Sequence, residues 1–186
     1  MNIKYLLLTL KILLINFSYI EANTDLINKL QKLSKVIQTV ETKDYTYNQE
    51  LEWDENRPFS LQYMVTETDK KGKEEELKFM FNLADFNVNT VRWSDEKDKI
   101  VVTLTADNRQ KTIKNFEDGE QQSYIDKVQS IAKDADNARV IEELLKSVIP
   151  ISKKLATEEL QLNSFEVRKN WLIKNITDFT IEELQY

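Results

Sequence analysis

Apolar residues in this chain keep two different rhythms, and the change between them limits what it can fold into. From Tyr45 to Phe116 they recur mostly at every second position; before and after that stretch they recur at every third or fourth. A two-residue period puts one side of a strand in the core and the other in water, whereas a period near 3.6 buries one stripe of a helix. "FSLQYMVT" sets Phe59, Leu61, Tyr63 and Val65 against Ser60, Gln62, Met64 and Thr66. "YTYNQELEW" places Tyr45, Tyr47, Leu51 and Trp53 on one face, and "ELKFMFNL" places Leu77, Phe79, Phe81 and Leu83 inward. "NTVRW", "IVVTLTA" and "KTIKNF" continue the pattern, separated by the polar turns "SDEKDK" and "DNRQ". The segment 123–132 fits a last strand better than a helix, because the helix after it then covers a finished sheet.

The flanking helices are equally legible. In "TDLINKLQKLSKVIQTVE" (24–41) Leu26, Ile27, Leu30, Leu33, Val36, Ile37 and Val40 form a stripe, with Thr24 as its expected N-cap. In "DADNARVIEELLKSVIP" Asp134 or Asp136 caps the start, and Ala138, Ile141, Leu144, Leu145 and Val148 form the stripe. Pro150 is expected to end that helix, since proline lacks the amide donor and clashes with the preceding turn. The fold class is therefore α+β: an antiparallel β meander of about six or seven strands, covered by an N-terminal helix and a C-terminal amphipathic helix. This order resembles the pleckstrin-homology-like superfold, on the strands from Tyr45 to Phe116 and the helix from Ala135 to Ile149. That resemblance implies headgroup-binding Lys and Arg in the first strand loop. Here that loop is "DENRP" with one Arg, so phosphoinositide binding does not carry over.

Three segments suggest a domain plan. Residues 1–22 have a basic start (Lys4), an apolar run and Ala22 at the end, the layout of a signal peptide, although Lys11 interrupts the run. An uncleaved membrane anchor and an ordinary buried helix are the other readings; a span needs roughly 20 apolar residues and this run is shorter. Residues 23–150 make the α+β domain. Residues 151–186 read as a helix plus a strand, packed on the same domain or starting a second copy. Asp178-Phe179-Thr180 echoes Asp44-Tyr45-Thr46.

Composition removes several kinds of chemistry. The 186 residues include no Cys and no His, so thiolate nucleophiles, disulfides and Cys/His zinc sites are absent, as is the commonest general base near neutral pH. Two Gly and two Pro leave no Gly-rich phosphate loop, and a net charge of −6 with mixed signs gives no basic face for nucleic acid. The acidic stretches "SDEKDK", "EDGE" and "DADN" lack the spacing of a calcium loop and read as solvated turns or a helix cap. Asn175-Ile176-Thr177 matches a glycosylation acceptor. Aromatics on strands are mostly core. "FNLADFNVNTVRW" is the one asparagine-rich loop between strands, so Asn87, Asn89, Arg92 and Trp93 are the expected contact surface.

The expected function is that of an exported (periplasmic or extracellular) non-catalytic binding or assembly module of the cell envelope. Its partner would be a protein or envelope component, with peripheral membrane contact allowed and no cofactor. An apolar-ligand carrier with a pocket between helix and sheet is the alternative, and a carboxylate-based enzyme a third.

Overall fold

The computed structural model describes the backbone of residues 3–179, and the side chains of 20–161 with several more in 164–173. It is an α+β fold of two helices and nine antiparallel strands in two sheets. Helix α1 (Ile3–Val36) is followed by β1 (Val40–Glu41), β2 (Tyr45–Trp53), β3 (Ser60–Asp69) and β4 (Glu74–Asn82). Then come β5 (Arg92–Glu96), β6 (Lys99–Thr105), β7 (Lys114–Glu117), β8 (Glu120–Gln121), β9 (Lys127–Ala132) and α2 (Ala135–Phe179).

The meander does not form one sheet. β1-β2-β3-β4-β7-β8 make a six-stranded sheet, and β5-β6-β9 a separate three-stranded one. The division falls at 83–90, where two single 3-10 turns redirect the chain. Asn82 and Asn87 start them by accepting the amides of Ala84 and Asn89 (2.8 and 3.0 Å). Asn89 and Thr90, which the sequence places at the start of the strand "NTVRW", belong instead to the second of these turns (Val88–Thr90), and the strand begins at Arg92; such side-chain acceptors compete with the strand ladder for backbone amides.

The period-two face of β3 is the core: Phe59, Leu61, Tyr63 and Val65 are all buried. Tyr45, placed on the same face as Tyr47, is instead 44% exposed, because it begins its strand at the edge of the core, with its ring 6.0 Å from that of Tyr47. Residues 127–132 are strand, as the sequence favours. Tight turns close the hairpins. Gly72 takes φ +81° and Asp118-Gly119 take +47° and +82°, the left-handed pair of a two-residue hairpin turn.

Helix α1 starts well before Thr24. Thr24 is therefore no cap; its hydroxyl donates to the Ile20 carbonyl one turn back, inside the helix (2.9 Å). The helix ends at Val36, so Val40 pairs with Tyr47 as strand rather than extending the stripe. Asp134 does cap α2, accepting the Asn137 amide at 2.7 Å. Pro150, however, does not end it: α2 continues to Phe179. The ring is solvent-exposed, while Ile149, Ser152 and Leu155 are fully buried on either side, and their burial outweighs one lost helical hydrogen bond. The strand expected after Phe179 lies outside the described residues.

The two helices pack together, and the start of α2 meets the end of α1. Leu33 and Ile37 of the α1 end, Leu51, Leu61 and Tyr63 of the larger sheet, Leu104 and Val128 of the smaller, and Leu145 of α2 line one apolar space of about 20 Å³. That is room for about one water molecule, so the layers pack closely there.

Across this core runs one polar staple. The Gln49 side-chain amide donates to the carbonyls of Gln38 and Ile131, both at 2.8 Å. Its oxygen accepts from the Ile131 amide, the Ser130 hydroxyl and the Tyr63 hydroxyl. Burial pushes the Tyr63 phenol well above the ordinary tyrosine value, partly offset by its hydrogen-bonding surroundings at Ser130 and Ile131.

Candidate functional site

The four residues of the expected contact surface divide between different tasks. Asn87 starts a 3-10 turn, and that turn is strapped to β6: the Asn87 amide donates to the Thr105 carbonyl (3.1 Å), and the Thr90 hydroxyl donates to the Asn87 carbonyl (2.7 Å). Asn89 is exposed at the crest of the turn. Arg92 and Trp93 are successive strand residues, so their side chains point to opposite faces. The Trp93 side faces α2: its amide donates to the Glu142 carboxylate (3.2 Å) and its ring lies 5.9 Å from the Arg139 guanidinium. Arg92 points the other way and is exposed.

Arg92 belongs to a groove of about 610 Å³ on the three-stranded sheet, shared with Ser94, Glu96, Thr103, Thr105, Arg109, Asp126 and Lys127. Strand register builds it. Arg92 lies opposite Thr103, which lies opposite Gln129, and Thr105 lies opposite Lys127. Cations from both edge strands thus flank the threonines of the central one. Arg109 arrives from the loop after β6, where Asn108 and Arg109 both take left-handed backbone (φ +54° and +53°). Such a conformation is common for Asn but strained for Arg, at a cost of order 1–3 kcal/mol. At the far end Glu96 is occupied, accepting from Gln129 (3.1 Å) and Ser94 (3.3 Å). Among the described residues Arg92, Arg109 and Lys127 join no ion pair.

Sequence reasoning finds Arg92 and misses Arg109, Lys127 and the two threonines. The alternation of Arg92, Ser94 and Glu96, and of Thr103 and Thr105, is present in the sequence as one polar side of each strand. Register, which places the two rows together, is not.

A second groove of about 500 Å³ lies on the six-stranded sheet. Its floor is a cross-strand row of Glu52, Gln62, Met80 and Lys114, with Gln62 donating to Glu52 at 3.0 Å. Trp53, Phe81, Asp54 and Asp85 border it. The Asp85 carboxyl is raised above its ordinary value by burial first and by the Asp107 carboxylate second, with Lys153 pulling the other way. Three carboxylates thus line one concavity, although among the described residues no three acidic groups gather closely enough to hold a metal ion.

No protein family, no characterised protein and no solved structure matches this chain. The likeness to the pleckstrin-homology-like superfold accordingly rests on element order alone. Among the described residues no helix is long and apolar enough to cross a membrane.

Proposed function

We propose that this chain is an exported, non-catalytic binding or assembly module of the cell envelope, which meets its partner through the groove of the three-stranded sheet. One observation carries the reading: the groove is open and gathers three cations that join no ion pair among the described residues. Elsewhere Arg57, Lys70, Arg139, Lys146 and Lys153 are each paired with a carboxylate, and among the described residues unpaired lysines such as Lys43, Lys71 and Lys111 are present too, so it is the gathering of three cations in one groove that supports the reading. Export is supported by the basic start and apolar run of residues 1–22. The small size of the apolar space between helices and sheets weighs against an apolar-ligand carrier, since about 20 Å³ holds no lipid chain.

A photo-crosslinking residue in place of Ser94, used in the native cell, tests the reading. A discrete adduct at Ser94 and none at Lys71, on the distant β3–β4 turn, is the expected result. Absence of an adduct at Ser94 counts against it. Native mass spectrometry after incubation with a lipid extract is expected to show bare protein; a retained lipid would favour the carrier. Mass spectrometry of the secreted protein tests export, with loss of residues 1–22 expected and an intact N-terminus in the membrane fraction against it.

The second groove favours a different reading, a carboxylate hydrolase. Asp85, with its raised carboxyl, would be the general acid, and Glu52 or Asp54 the partner. Turnover of chromogenic glycosides that disappears in Asp85→Asn would establish it over the binding module.

A further inference from the structure

We infer that the basic end of the three-stranded-sheet groove is an oxyanion site, which takes one phosphate or carboxylate group of the ligand. The inference rests on the reading of this groove as the binding surface. Its support is the convergence of Arg92, Arg109 and Lys127 from three separate parts of the chain.

Like charges gathered in one concavity repel one another unless a counter-charge joins them. The groove sets two carboxylates, Glu96 and Asp126, against three cations, and Glu96 sits at the far end where it accepts from Gln129 and Ser94, so the excess positive charge lies at the end of Arg92, Arg109 and Lys127. The register adds hydroxyl donors. Arg92 is opposite Thr103 and Lys127 is opposite Thr105, two positions further along β6 and on its other side, so their backbones are offset by about 7 Å along the strands and about 10 Å across them. Two long side chains reach inward across that span, and an oxyanion between them meets a guanidinium fork on one side, an ammonium on the other and hydroxyls beneath.

Arg109 adds the third cation. Its left-handed backbone carries strain, as that of Lys97 and Asp118 does in tight turns. Here that backbone delivers a guanidinium to the groove. The net charge of −6 sets the size of the ligand's anionic part. An extended polyanion would be repelled by the rest of the molecule, whereas a single oxyanion group meets only the local positive end.

The test is a titration of the ¹⁵N-labelled full chain with inorganic phosphate and, separately, succinate, each against chloride at matched ionic strength. Saturable shifts at the arginine Nε–H signals and at the amides around Thr103 and Thr105 are expected. Arg92→Ala should weaken binding by about tenfold or more, and Arg92→Lys by several-fold through loss of the fork. Arg109→Gly is the decisive variant. It relieves the strained backbone and is expected to raise thermal stability while weakening the anion by about tenfold. Preference for phosphate or for succinate identifies which oxyanion the site takes. Linear shifts equal to those with chloride, or unchanged affinity in Arg92→Ala and Arg109→Gly, would overturn the assignment. An adduct at Ser94 without anion binding would remove the oxyanion site and leave the binding surface standing. Anion binding without an adduct would do the reverse.

Discussion

Asn137 donates its side-chain amide to the carbonyl of Val36, 101 residues earlier in the chain, at 2.9 Å. Its other side-chain atom accepts from the Lys133 amide (3.1 Å), and its own backbone amide is held by Asp134. One residue therefore caps the end of α1 and orders the start of α2. Asn137→Ala removes the bond to a terminal α1 carbonyl and the bond to Lys133 together. A loss of about 1–3 kcal/mol is expected in urea denaturation. A change under about 0.5 kcal/mol would mean that water replaces both bonds.

Gln49 ties β2 to Gln38, Ser130, Ile131 and Tyr63. Gln49→Leu keeps the bulk and removes all five hydrogen bonds, leaving the buried Tyr63 hydroxyl and the Ile131 amide unpartnered. Each orphaned buried group costs about 1–3 kcal/mol, so a total of about 2–5 kcal/mol is expected. Chemical denaturation measures it, and a near-neutral variant would show the staple to be dispensable.

On α2, Ile141 is fully buried, whereas Leu144 is half-buried at the edge of the core. Ile141→Ala is expected to cost about 2–5 kcal/mol and Leu144→Ala clearly less. Equal costs, read from denaturation midpoints, would contradict the orientation of the helix.

Pro150 sits exposed inside a continuous helix. Replacing it by Ala restores a backbone donor and removes a clash, an effect of about 3 kcal/mol in a helix interior, against about 0.4–1 kcal/mol from a more flexible unfolded chain. A net gain of about 1–3 kcal/mol is expected, seen as a rise in Tm. A fall in Tm would show that the packing of Ile149 and Leu155 depends on the proline.

Asp85 gives stability a dependence on pH. Folding raises its carboxyl above the ordinary value of 3.8, chiefly by burial, so the folded state disfavours the ionised form. Its contribution is fully present below that value and is lost as pH rises through the raised one. Asp85→Asn removes the loss. Compared with the native chain it should be more stable at pH 7, and the difference should narrow at pH 3. A less stable variant at pH 7 would mean that attraction to Lys153 outweighs the burial.

Local patterns in the sequence carry most of the architecture. The buried faces of β3 and α2 follow from spacing alone, and Asp134 follows from its position before an apolar stripe. Where several local preferences compete, tertiary packing decides. Pro150 is overruled by the buried residues around it. Thr24 lies within the helix because α1 begins upstream. The division into two sheets depends on Asn82 and Asn87, whose capping is local but whose effect on strand partnership is global. The groove is less legible still. Arg92 and Lys127 are brought to one sheet face by register, and Arg109 joins them through a backbone conformation that its residue type disfavours.

The Glu142 carboxylate that holds the Trp93 amide has a further consequence for how the smaller sheet meets other molecules. β5 is an edge strand, and an edge offers its amides to any extended chain that passes. By occupying the Trp93 donor from its own helix, the molecule hinders annexation of this border by a foreign strand and lateral growth into fibres. Whatever engages the basic side of β5 is thereby steered toward reading its side chains rather than stitching onto its main chain.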